Sequence, residues 1–363
     1  MELLNVLLKL NNDVLRMLNS EHHFIILGLI IYYIRYAYGN TCYDALMKPK
    51  TCITSPINAA QNRDISASNT CGEPAEGFCY IGPTKQCGIC NANTPPLNHP
   101  ASFMVDRFML NNVTWWQSNT WWQANQKGLS KLFVPLKVNI TLNFNKLYLI
   151  SGGVYVTFKT ERPKQMIIEK SRDFGKTWHV YQYFAKNCRS MYNLQPDPTL
   201  DPRGDESFKE TCSELYSGEF PRSGGVVHFD PRLRYEPQHY FNSDVHTYLE
   251  ATDIRLRLEY PGTDGREYID EETTLNQYYY AISDFRVDAR CDCSGHGEFC
   301  DISSKDGKER CGCHHFTMGD DCQECLPLYR NRKWMAGNAT HANPCQSKSF
   351  LPYLSYLTKL KVI

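Results

Sequence analysis

Sixteen cysteines are the residues best able to do chemistry in this chain of 363, and they form two groups of eight, Cys42 to Cys212 and Cys291 to Cys345. An even count permits complete pairing in an oxidising compartment, whereas closely spaced thiols can instead hold zinc. In the second group the order is Cys291-x-Cys293, Cys300, Cys311-x-Cys313, Cys322-x2-Cys325 and Cys345, with His296, His314 and His315 interspersed. Zinc sites favour Cys-x2-Cys pairs, and this group has one, so oxidised thiols are the better reading. Residues 291–345 number 55 and include few large aliphatic side chains. So small a segment cannot hold itself together by burial, and each closed disulfide loop would stabilise it by about 2–4 kcal/mol.

Other reactive constellations are sparse. Asp201 with Asp205, and the run Asp270-Glu271-Glu272, sit in polar loop-like stretches where solvated acids are the default. A glycosidase needs two carboxylates set across one sugar bond. His228, His239 and His246 lack ligand spacing, and no Gly-x-Ser-x-Gly or His-Glu-x-x-His run is present. No catalytic residue is therefore assigned, and neither an enzymatic activity nor a small-molecule substrate is expected. Arg203-Gly204-Asp205 has the form of an integrin-binding tripeptide, although a solvated turn is the plainer reading. Asn112, Asn139 and Asn338 each head an N-glycosylation triplet. Trp115-Trp116 and Trp121-Trp122 are dense enough for a contact surface, but packing is favoured for Trp116. With 39 Lys+Arg against 39 Asp+Glu the net charge is zero, which argues against nucleic acid as a partner.

The elements that position these residues differ along the chain. Phe24–Ile34 is an apolar run of 11 residues followed by Ala37-Tyr38-Gly39. That is short of the roughly 20 residues of a membrane span and suits a cleaved signal peptide over 1–39; a buried helix or signal anchor is the competing reading. Leu136, Val138, Ile140, Leu142 and Phe144 alternate with polar residues, as do Val154, Val156 and Phe158 after the turn signal Ser151-Gly152-Gly153. Ile254, Leu256, Leu258 and Tyr260 repeat the pattern, and Tyr278, Tyr280, Ile282 and Phe285 do so less regularly. Short alternating strands between Gly/Pro turns predict an all-β, jelly-roll-like β-sandwich followed by a small disulfide-rich module.

The segments CDCSGHGEFC and RCGCHHFTMGDDCQEC resemble the laminin-type EGF-like module. The resemblance implies the pairs Cys291–Cys300, Cys293–Cys311, Cys313–Cys322 and Cys325–Cys345. Upstream, CGEPAEGFC (71–79), CNANTPPLNHP (90–100), NVTWWQSNTW (112–121), LKVNITLNFNK (136–146), ERPKQMIIEKSRDFGKTWHVYQYFAKNC (161–188), ATDIRLRL (251–258) and YYYAISDFRVDARC (278–291) resemble the laminin N-terminal domain, which precedes such modules in laminins and netrins. The expected division is a signal peptide (1–39), a laminin N-terminal domain (40–290), an EGF-like module (291–345) and a short tail (346–363). The match further implies Cys42–Cys52, Cys71–Cys90, Cys79–Cys87 and Cys188–Cys212.

Within the netrin/laminin family the chain looks closest to netrin-G. Secreted netrins and laminins commonly carry a further cysteine pair that would fall at Trp115 and near Phe158, and this chain has neither. The family resemblance also implies a structural calcium ion held by Asp106, Thr114, Ser283 and the Ala281 carbonyl, with Phe108 where relatives often have a polar residue. Its functional implication is a secreted protein of the extracellular matrix or cell surface, engaged in cell adhesion and axon guidance. Its head would bind a matrix protein or cell-surface receptor, in the netrin-G branch one with leucine-rich repeats. The alternative is a laminin-like basement-membrane component whose head self-associates into a network. The C-terminal QSKSFLPYLSYLTKLKVI is a poor match to a glycolipid-anchor signal.

Overall fold

The computed structural model describes residues 42–44, 46–82, 84, 86–106, 113–128, 134–196, 209–235, 240, 242–302 and 309–347. The leader segment, Phe108, Asn112, Arg203-Gly204-Asp205 and His239 lie outside the described residues. The described residues are mostly β, 37% strand against 12% helix, and sandwich-like. It divides into two compact units, Ser55–Asp292 and a smaller one joining the residues before it to those from Cys293 onward.

The larger unit contains β1 (Ile57–Asn58), β2 (Asp64–Ala67), β3 (Glu76–Cys79), β4 (Cys87–Cys90), β5 (Trp116–Gln117) and β6 (Val138–Phe158). After these come β7 (Gln165–Ser171), β8 (His179–Ala185), β9 (Cys212–Ser213), β10 (Val226–Phe229), β11 (Glu250–Tyr260) and β12 (Ala281–Cys291). Four short helices intervene: α1 (Trp121–Gln126), α2 (Cys188–Tyr192), α3 (Ser243–Leu249) and α4 (Glu272–Leu275).

Strand β6, 21 residues long, is the spine. Its first half pairs with β2 and β11, its second with β10 and β12. From β11 the sheet continues through β7, β8 and β9, while β1 and β5 extend β12. Leu136, Val138, Ile140, Leu142, Phe144, Val154, Val156 and Phe158 are all buried, so the two-residue alternation does point one face inward. The glycines of Ser151-Gly152-Gly153 bend a continuous strand where the sequence suggests a turn. A Cβ on Gly152 would meet the side chain of Asp288; Gly153 has φ +113° and lies against the ring of His228. Only glycine accepts that dihedral without strain. The irregular apolar spacing of β12 has a similar local origin: its register against β6 shifts between Ile282 and Asp284.

A buried polar turn precedes α1. Gln117, Ser118, Asn119 and Thr120 are each at most 1% exposed, and Trp116 and Trp121 flank them in the core. Glu76 of β3 satisfies this turn, accepting from the Asn119 amide and, at 3.0 Å each, from the Thr120 N–H and hydroxyl. Thr120 in turn caps α1 by accepting from Gln123 N. On the far side, the Lys170 ammonium donates to the carbonyls of Thr247, Tyr248 and Glu250, over the rings of Tyr181 and Tyr248. Burial pulls its pKa down to about 7, yet three acceptor-only partners are satisfied by the charged form, at the C-terminal end of α3 where a cation is favoured.

The smaller unit contains β13 (Gly297–Ile302), β14 (Glu309–Cys313), β15 (Thr317–Met318) and β16 (Glu324–Cys325). The opening loop, Cys42 to Thr54, belongs here and not with the sandwich. Cys52 N donates to the Gly295 carbonyl at 3.0 Å, and Thr51 Oγ1 donates to the carbonyl of Asn338. His296 and His315, both buried, meet Nδ1 to Nδ1 at 3.1 Å, while their Nε2 atoms face the carbonyls of Met335 and Cys42. Burial lowers the pKa of both rings, and each carbonyl can accept from the Nε2–H tautomer of the ring that faces it.

Replacing Glu76 by Ala leaves an amide, a backbone N–H and a hydroxyl without their acceptor; chemical denaturation should show a loss of about 2–4 kcal/mol, partly recovered by Glu76→Gln. His99, stacked on Trp115 at 4.2 Å, has its pKa pushed by burial to about 4. Its contribution is complete above the unfolded value of about 6.5 and is lost as pH falls toward 4. Melting temperature should therefore drop over that window, and His99→Gln should flatten the drop.

Candidate functional site

Asp106 follows a short 3-10 turn, Ala101–Met104, and is joined to Thr114, whose hydroxyl donates to Asp106 Oδ2 at 2.7 Å. Strand β12 supplies the third member, Asp284. Its carboxyl is pushed up to about 6, chiefly by burial, with the charge of Asp106 adding to the rise and Arg286 opposing it. Two carboxylates that feel each other's charge and a hydroxyl bonded to one of them are oxygen donors of the kind a hard divalent cation takes. Residues 107–112 lie outside the described residues.

Ser283 and Ala281 make other contacts. The Ser283 hydroxyl donates to the Thr157 carbonyl at 3.3 Å, and the Ala281 carbonyl accepts from Lys159 N at 2.8 Å. Both oxygens keep acceptor capacity beside these contacts, and Asp284 is a further carboxylate that the expected ligand set did not include. In a regular strand Ser283 and Asp284 point to opposite faces, and the register shift after Ile282 decides which side chain is aimed where.

The structure bonds Cys42 to Cys52, Cys71 to Cys90, Cys79 to Cys87 and Cys188 to Cys212. In the smaller unit it bonds Cys293 to Cys311, Cys313 to Cys322 and Cys325 to Cys345. Cys291 and Cys300 are disulfide-bonded as well, and no described cysteine is free. The close approach of Cys293, Cys300 and Cys311 sulfurs thus offers a metal no thiolate. Asn139 is exposed on β6. Asn338 is also exposed, its Oδ1 accepting from Thr340 N, Thr340 Oγ1 and His341 N.

The positions of the missing cysteine pair are filled by aromatic packing. Trp115 lies between the His99 ring and the Lys159 ammonium, 5.2 Å above it, and Phe158 is fully buried. Ile282 of β12 pairs with Trp116 on one side and Phe158 on the other.

The family pattern described as Laminin N-terminal (Domain VI) matches residues 52–289. The chain belongs to the laminin N-terminal family. It is 36% identical over 311 residues to laminin subunit gamma-1 of Homo sapiens, covering 84% of this chain and 19% of that one. The laminin-like protein lam-2 of Caenorhabditis elegans is 35% identical over 319 residues, 85% of this chain and 19% of the relative. Netrin-G1 of Homo sapiens is 35% identical over 284 residues, 74% of this chain and 50% of the relative. The chain thus spans about a fifth of its laminin relatives and half of Netrin-G1, and identity does not separate the two branches. No helix among the described residues is long and apolar enough to cross a membrane.

In this laminin N-terminal domain the Asp106–Asp284 pair carries like charges in a partly buried setting. Asp284→Asn should therefore raise the melting temperature of the protein in chelator at neutral pH, as read by calorimetry.

Proposed function

We propose that this laminin-family chain is a secreted, non-enzymatic cell-adhesion and guidance protein of the netrin-G type, whose N-terminal head binds a cell-surface receptor. The observation that supports the netrin-G branch is the pair of positions at Trp115 and Phe158. There aromatic packing takes the place of the cysteine bridge common in laminins and secreted netrins. Trp115 is stacked on His99, and Phe158 is fully buried. The second reading, compatible with the 36% identity to laminin subunit gamma-1, is a head that self-associates into a matrix network. Saturable binding of the secreted chain to ectodomains with leucine-rich repeats, measured by surface plasmon resonance, is the expected result. Calcium-dependent self-association in sedimentation velocity without receptor binding would replace guidance by network formation.

The oxygen donors of Asp106, Thr114 and Asp284 support a structural calcium ion in the head, with the ion offsetting the repulsion between the two carboxylates. Calcium at extracellular concentration should raise the melting temperature of the wild-type protein. Asp106→Asn and Asp284→Asn should each abolish most of that rise. A rise of equal size in both variants would place the ion elsewhere.

A further inference from the structure

Away from the Asp106 cluster, a cleft of about 390 Å³ opens among the ends of β6 and β12 and the loop that follows β3. Its charged lining is Lys159, Glu161 and Arg222. Glu161, 5% exposed, is already neutralised by Arg222 at 2.9 Å. Lys159 is held over the Trp115 ring and has no carboxylate partner among the described residues, so the cleft carries one uncompensated positive charge. Tyr80 and Tyr279 stand together in the wall. The Tyr279 hydroxyl is buried without a hydrogen-bond partner among the described residues, although the side chain is only 3% exposed. An unpaired buried hydroxyl costs about 1–3 kcal/mol, so a partner supplied at this position would be favoured.

The remaining polar lining decides the ligand class. Gln86, Gln277, Thr160 and Ser223 offer amides and hydroxyls around the charge. An acidic amino-acid side chain would use the charge and leave these groups idle, and it is small for a space in the range of small-molecule pockets. A carboxylated pyranose has one carboxylate, several ring hydroxyls and an apolar face for a tyrosine ring.

We propose that this cleft binds an acidic monosaccharide unit, with its carboxylate taken by Lys159 and the Tyr279 hydroxyl and its ring hydroxyls by the surrounding amides and hydroxyls. Such a unit can come from a sialylated glycan terminus or from the uronate of a glycosaminoglycan. The site does not depend on the receptor-binding reading above, since it uses only residues of the cleft.

The test is ligand-observed NMR titration of the secreted chain with four probes: methyl α-N-acetylneuraminide, methyl β-glucuronide, methyl β-galactoside and N-acetylglutamic acid amide. Saturable binding of either acidic sugar, about tenfold tighter than the galactoside and the amino-acid probe, is the expected result, and the tighter acid identifies the source. Lys159→Gln should weaken that binding about tenfold. Tyr279→Phe should weaken it about fivefold while melting at the wild-type temperature or above, because the lost hydroxyl has no partner in the protein. The proposal is overturned if neither acidic sugar saturates, or if the galactoside binds as well. Equal binding of the amino-acid probe would make this a peptide-acid site and overturn the saccharide. A lower melting temperature for Tyr279→Phe would show that its hydroxyl serves the fold.

Discussion

One strand must satisfy partners on both of its edges along two successive stretches, and the rest of the larger unit depends on it doing so. β6 pairs with β2 and β11 over its first half and with β10 and β12 over its second. The register of β12 against β6 shifts between Gly153 and Leu149, and such a bulge bends the strand. At Gly152 and Gly153, Asp288 and His228 occupy the space that side chains would need. Everything that packs on the sheet, from the buried turn around Asn119 to the Lys170 clasp on α3, inherits its position from that bend.

Much of this was legible in the sequence because it is local. Alternation at 136–144, 154–158 and 254–260 is a direct imprint of one face turned inward, and each of those apolar residues except Leu136, two positions before β6, lies in a strand. The bend at Gly152 was legible only as glycine. Whether two glycines make a hairpin or a kinked strand depends on β10 and β12, more than 70 residues further on, and no local pattern carries that. Short helices such as α1 went unseen for a related reason. Six residues are too few to display a helical period, and α1 stands because Thr120 caps it and Glu76 holds Thr120.

The ion-binding candidates divide in the same way. Asp106 and Thr114 are eight residues apart and connected directly. Asp284 lies outside the set that the resemblance implied, and its influence from Asp106 depends on how β12 is registered in the sheet, which no local pattern carries. The cleft at Lys159 was wholly illegible: its walls come from five separate stretches of chain, and what marks it is a missing hydrogen bond, which has no sequence signature.

The first two residues of β1 pair with Asp288 and Ala289 near the end of β12, so the larger unit begins and ends at one place. Topologically the sandwich is an insertion into the smaller unit, whose two pieces are separated by 238 residues of chain. During synthesis the loop closed by Cys42 and Cys52 emerges long before the strands it packs against. The assembly order follows: the cysteine-rich unit can be completed only after the sandwich has formed and returned its exit beside its entrance. The cysteine-rich unit is thus finished with residues made before the sandwich, and the folded sandwich is the tether that keeps their local concentration high.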